Sequence, residues 1–316
     1  MQNPLAIAIT VALLASVLFL AVLASGLGLV FIFLPSLPLF VVGLAKSPKM
    51  ALQAGALASL PIILVTGSPL LAIIFFYAFA IPCWFMSRLL RQHYDLHMGE
   101  KMPILRLWYP AGLTTLYLAI YGCSILAIVT AFFATQETNL PQHLASSVQA
   151  QIAAMQKEYN VELNVAPADI SFMVFGFFVW LWAIALWAHA WLANFVLVKK
   201  KMAVRPSLAI TPFPMPNWLL SLMGICALAS LIGGESMRFL GKASLIILLM
   251  PYFFQGAALL HLATQKWSNQ RFFLFFVYFA IALLFWPAFV LSGIGLWQHV
   301  KMLNKSLSNG GNSHIS

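Results

Sequence analysis

Charge is what this sequence has least of. Asp, Glu, Lys and Arg make up 8% of its 316 residues, against about 25% in an ordinary soluble domain. Acid is the scarcer sign, with seven Asp and Glu against seventeen Lys and Arg, for a net charge of +10. No carboxylate lies deep in an apolar run, which argues against a carrier built on an intramembrane Asp or Glu proton relay. A Walker phosphate loop, HExxH and GxSxG are all missing, as is any carboxylate–histidine cluster suited to a metal. No catalytic constellation, metal site or cofactor is therefore expected. Cysteine is scarce as well: Cys83, Cys123 and Cys226 lie in apolar segments without ligand spacing, and read as reduced packing residues rather than a disulfide framework. The alternating ten-residue strands of a membrane barrel are absent too.

What remains is hydrocarbon. Hydrophobic residues are 62% of the chain, mostly in runs long enough to cross a bilayer as helix, which takes about 20 residues. The expected fold is an all-α polytopic membrane protein with about eight, and up to ten, transmembrane helices. The opening run from Pro4 to Lys46 amounts to roughly 63 Å of helix, two crossings of a core about 30 Å thick, with "SGLG" at Ser25 to Gly28 as the turn. Its start imitates a signal peptide but lacks a basic n-region and is too long, so it reads as the first span. Further spans are expected at 50–66, 70–87, 107–134, 169–198, 216–233 and 243–264. A last run, 272–300, crosses once or turns back. Residues 1–301 read as one transmembrane domain with an insert at 136–168, and 302–316 as a disordered tail.

The cations orient the chain. Lys46 and Lys49; Arg88, Arg91, Lys101 and Arg106; Lys199, Lys200, Lys201 and Arg205; Lys266 and Arg271 form four clusters. The proposed spans bring all four to one side, which the positive-inside bias makes the cytoplasm, together with the N-terminus. Such loops need no nucleic-acid partner. Lys301 and Lys305 belong on the same side only if the chain turns back near Pro287. The opposite side receives the insert, where Leu144, Val148, Ile152, Met155 and Tyr159 make one apolar helical stripe. That helix reads as a connector on the headgroups or as a lid over an outward cavity. Glu235 and Arg238, at i and i+3, are spaced to pair on the surface.

Polar or helix-breaking residues inside the apolar runs are the candidate site. In "PSLP", Pro35, Ser36 and Pro38 fall near the middle of a span at 29–45. A break there is either a packing kink or a cavity-lining segment of the kind transporters use. In "PYFFQGAALLHLATQ", Gln255 is an amide in hydrocarbon, and His261 lies close to Lys266 at headgroup depth. In "WLWAIALWAHAWLANF", Trp180, Ile184, Trp187 and Trp191 share a stripe, while His189 points elsewhere, about 15 Å from Lys199. The expected ligand-binding set is Pro35, Ser36, Pro38, Trp187, His189, Gln255 and His261.

"PSLPLFVVGLAKS" and "PYFFQGAALLHLATQKWSNQRFFLFFVYFAIALLFWP" resemble the YybS-like family of bacterial multi-pass membrane proteins, over about Leu5 to Lys301. That family has no assigned activity. Its fold is thought to be similar to the S components of energy-coupling-factor vitamin transporters. The resemblance implies an S-component-like bundle that binds a small molecule and works with a separate transmembrane partner and ATPases. The chain departs from it in its number of crossings, its insert and its lack of a clear AxxxA pattern in the first span. The expected function is a permease-like, small-molecule-binding subunit of the bacterial inner membrane. The alternative is an accessory protein that organises an envelope complex. A membrane enzyme acting on lipid-linked substrates fits least.

Overall fold

A computed structural model describes residues 3–25, 33–97, 105–134, 139–160, 166–206, 208 and 211–311. Among them are eleven helices and one hairpin. They are α1 Pro4–Ser25, α2 Ser36–Ala45, α3 Pro48–Thr66, α4 Pro69–Leu90, β1 His93–Leu96, β2 Leu105–Trp108 and α5 Leu113–Phe133. There follow α6 Leu140–Tyr159, α7 Pro167–Lys199, α8 Trp218–Ile232, α9 Glu235–Thr264, α10 Gln270–Leu284 and α11 Pro287–Gly311.

The fold is all-α and polytopic; among the described residues, fewer helices than expected are long and apolar enough to cross. Six helices (α1, α3, α4, α5, α7 and α9) are long and apolar enough to span, or seven spans if α10 and α11 count as one broken span. The two expected spans that fall short are now helices of 10 and 15 residues, α2 and α8, about 15 and 23 Å long. Residues 29–32 of the first lie outside the described residues. The last helix, α11, is described to Gly311.

The chain divides into two compact units, Met1–Thr114 with Trp182–Ala209, and Thr115–Leu181 with Ile210–Ser316. The first is packed through small residues. Ala51, Ala54 and Ala58 of α3 are fully buried, and a Cβ on Gly55 would strike Ala80. Such contacts let helix backbones approach where no hydrophobic force drives them together. Within α4, Phe76–Ala80 form a π-helical turn. Pro82 has no N–H to give the carbonyl of Ala78, and Trp182 Nε1 donates to that oxygen at 2.9 Å.

The β hairpin was not foreseen. It pairs Asp95 with Arg106 and His93 with Trp108 across its strands. Arg106 grips Asp95 at 2.9 and 3.1 Å and holds that carboxyl below the usual carboxylate range. Arg205, buried in the loop after α7, donates to the Tyr109 carbonyl at 2.8 Å and lies 5.7 Å over the Trp108 ring. One cation of the third basic cluster thus tethers the hairpin instead of meeting solvent.

The second unit is built on α9. A Cβ on Gly256 would meet the Leu291 backbone, and one on Gly295 the Tyr252 carbonyl. These contacts set α11 antiparallel to α9. Lys301 and Lys305 consequently lie toward the Glu235 end of α9, away from Lys266. The chain does turn before Pro287, by 116° between α10 and α11. At the corner Phe285 takes φ 59°, costly for a bulky residue, and its ring packs on Phe177 at 4.4 Å and Trp180 at 5.9 Å. The amphipathic helix of the insert is α6. Its stripe buries Val148 but leaves Met155 and Tyr159 exposed. Glu235 accepts from Asn139 at 3.1 Å and Gln142 at 3.3 Å, rather than pairing with Arg238.

Candidate functional site

The PSLP prolines stand at the start of a helix. Pro35 is the N-cap of α2 and Pro38 lies in its first turn. The first amides of a helix have no acceptor within it, so prolines there cost no hydrogen bond. The first part of the expected span at 29–45, where a break would show, lies outside the described residues. Ser36, fully buried, donates to the Phe33 carbonyl at 2.8 Å. Its single proton is then spent, so at 2.8 Å it accepts from Nδ1 of His189 on α7. The Cys83 thiol donates to the Ser36 carbonyl at 3.6 Å. Serine and histidine side by side suggest a nucleophile and its base. Here, however, the backbone amides of Ser36 and Leu37 already donate to Phe33 and Leu34, and Pro38 has none. Among the described residues no backbone amide of this turn is left to serve as an oxyanion donor, and the pair ties α2 to α7. Trp187 is half-buried in the same unit.

The other two expected residues sit on α9 in the second unit. His261 Nε2 meets the Tyr278 hydroxyl at 2.8 Å. Gln255 is the more informative. Its Oε1 accepts from the backbone N–H of Phe213 at 3.0 Å. Phe213 belongs to Thr211–Pro216, "TPFPMP", an extended stretch without helical bonds before α8. Three alternate prolines leave it only half its amides, and Gln255 satisfies one of them. The glutamine lies nine residues from the end of α9, about 14 Å along the helix. Irregular backbone inside an apolar bundle is tolerated where it is buried in protein or lines a cavity.

Beside it runs a second chain of hydrogen bonds. Tyr252 meets Nδ1 of His299 at 2.9 Å, and Nε2 of His299 meets Oδ1 of Asn217 at 3.3 Å. Since an amide oxygen only accepts, Nε2 carries the imidazole proton and Nδ1 accepts from the tyrosine. Asn217 and His299, with Gln255, line a cleft of about 220 Å³. Its floor is the buried Phe213, Met215, Gln255 and His299, and its mouth the exposed Pro214, Asn217 and Met302. A larger hollow of about 510 Å³, between the start of α1 and α3, has Gln53 as its polar side chain among Pro4, Leu5, Ala8, Ala56 and Leu57. It lacks convergent polar groups and is a groove between helices.

Phe213, Asn217 and His299 of the cleft were therefore missed, as was Tyr252, the partner of His299. The alternating prolines 212, 214 and 216 carried a signal, since such a run cannot be helix. His299 carried none; two residues before Lys301, it reads as the end of a span. Among the described residues no group of three or more His, Cys, Asp or Glu is placed to hold a metal.

Neither the curated proteins nor the solved structures give a match. A family of predicted membrane proteins, DUF2232, matches residues 8–296, much the same extent as the resemblance read from Leu5 to Lys301. With nearly the whole chain matched and the helices long enough to span, this protein belongs to that membrane-protein family.

Proposed function

We propose that this membrane protein is a permease-like subunit that binds a small molecule in the cleft between the TPFPMP segment, α9 and α11. The observation that carries this reading is Gln255, a buried amide that spends its oxygen on non-helical backbone beside the Asn217–His299–Tyr252 chain. A packing-only core is served more cheaply by apolar residues, because a buried polar group costs free energy unless bonded. Apolar walls with a few convergent polar groups are what small-molecule sites share. With no energising motif in its sequence, the subunit depends on a separate transmembrane and ATPase partner, as the S-component likeness implies. It resides in the bacterial inner membrane, with its N-terminus and four basic clusters in the cytoplasm. Of the residues expected from sequence, Gln255 serves the cleft. Pro35, Ser36, Pro38, Trp187 and His189 support the first unit, and His261 pins α9 to α10.

The test is native mass spectrometry of protein gently purified from its own membrane. A bound species of small-molecule mass is expected, absent from Gln255→Leu and Asn217→Ala and retained by Ser36→Ala. A bare chain refutes the reading. The accessory role then leads, supported by the uncovered Met155 and Tyr159 of α6, and deletion of α6 becomes the damaging change.

A further inference from the structure

The cleft's side-chain hydrogen-bond inventory has one sign. Gln255 Oε1 is occupied by the Phe213 amide, and Asn217 Oδ1 by His299 Nε2. Both His299 nitrogens are engaged, and the Tyr252 hydroxyl is committed to His299. Among the side chains of the described residues, what remains uncommitted is the NH₂ group of each amide, Gln255 Nε2 on the floor and Asn217 Nδ2 at the mouth. Both are donors. No charged side chain lines the cleft. Lys301, on the same helix as His299, sits 5.0 Å over the Trp297 ring. An ionic ligand here leaves water without a counter-charge, and burying an unpaired charge is far costlier than burying a bonded neutral group. The volume of about 220 Å³ also lies below the roughly 300–1,000 Å³ of pockets for drug-sized ligands.

We propose that the cleft selects an uncharged hydrogen-bond acceptor, a carbonyl or ring-nitrogen compound no larger than one substituted ring. This rests on the reading of the cleft as a ligand site. The two amide NH₂ groups grip the acceptor, while Phe213, Met215 and Met302 pack on its apolar part.

The experiment uses the full chain in lipid nanodiscs, with ligand-observed NMR and empty nanodiscs subtracted. The probes match in size and differ in sign: N,N-dimethylbenzamide, benzoate and benzylammonium. Dimethylbenzamide is expected to bind saturably and at least tenfold tighter than either ion. Asn217→Asp keeps the oxygen that His299 needs and removes the donor, at an exposed position where folding is not at stake. It should weaken dimethylbenzamide about three- to tenfold, the worth of one hydrogen bond, and strengthen benzylammonium. Benzoate binding as tightly as the benzamide overturns the proposal, as does the absence of saturable benzamide binding. The two readings fail separately: a co-purified ion in the mass spectrum sinks this one and leaves ligand binding standing, whereas a bare chain sinks both.

Discussion

Each unit buries a histidine among helices, and the two histidines do different work. His189 meets Ser36 at 2.8 Å, and that hydroxyl gives its own proton to a carbonyl one turn away. Every polar group of Ser36 is spent. His299 is equally well bonded, yet its partner Asn217 and its neighbour Gln255 keep free donors that face an open cleft. Burial of a polar residue therefore does not by itself mark a site. The mark is hydrogen-bonding capacity left over once the fold has been satisfied, together with space in front of it.

The sharpest way to break this contrast is at Gly256, where any Cβ strikes the Leu291 backbone. Gly256→Val should destabilise the protein by about 3 kcal/mol or more, since backbone cannot yield as a side chain does. Thermal unfolding in detergent should show a large fall, with the cleft ligand lost. Gly224→Ala, at a position open to solvent or lipid, should leave the midpoint unchanged or raise it. Equal effects at both glycines would mean that α9 and α11 do not cross at Gly256.

Gln255→Leu comes next. It strands the Phe213 amide, at a cost of about 1–3 kcal/mol, and should abolish ligand retention while the helical signal persists in circular dichroism. Retained ligand with a lowered midpoint would reduce Gln255 to a structural tie like Ser36.

Ser36→Ala and His189→Ala should each cost about 1 kcal/mol and leave ligand binding untouched. Their double variant should cost less than the sum of the two, because they share one bond. Loss of ligand in either single variant would move the site into the first unit.

The smallest effect belongs to the hairpin. Arg106 lowers the Asp95 pKa by hydrogen bonding and by its charge, so the folded carboxyl binds its proton less readily than the unfolded one. That stabilisation is full above the unfolded value and disappears as pH falls through the lower folded value. The pair is exposed, so its contribution is small. Proteolysis of the hairpin should accelerate below about pH 4 in the wild type, and Asp95→Asn should be equally susceptible at every pH. A wild-type profile flat down to pH 2 would show the ion pair to be idle.

How much was legible followed the range of the interaction. The long apolar runs set the helices α1, α3, α4, α5, α7 and α9, because in a bilayer a segment must satisfy its own backbone. The stripe at Leu144, Val148 and Ile152 marked α6 for the same local reason, as periodicity is a property of one helix. Lengths were misjudged where prolines stand before a helix, at Pro35 and in TPFPMP. There, hydropathy continues while the helix does not.

The sequence by itself thus determined the class of protein, most of its spans and Gln255 as a polar group worth explaining. Only the tertiary structure decided that Ser36 and His189 close on each other, or that Asn217, Gln255 and His299 open on one cleft. Those partners lie between 42 and 153 residues apart in the chain. Which donors are consumed by the fold depends on who meets whom, and no local pattern in a chain records that.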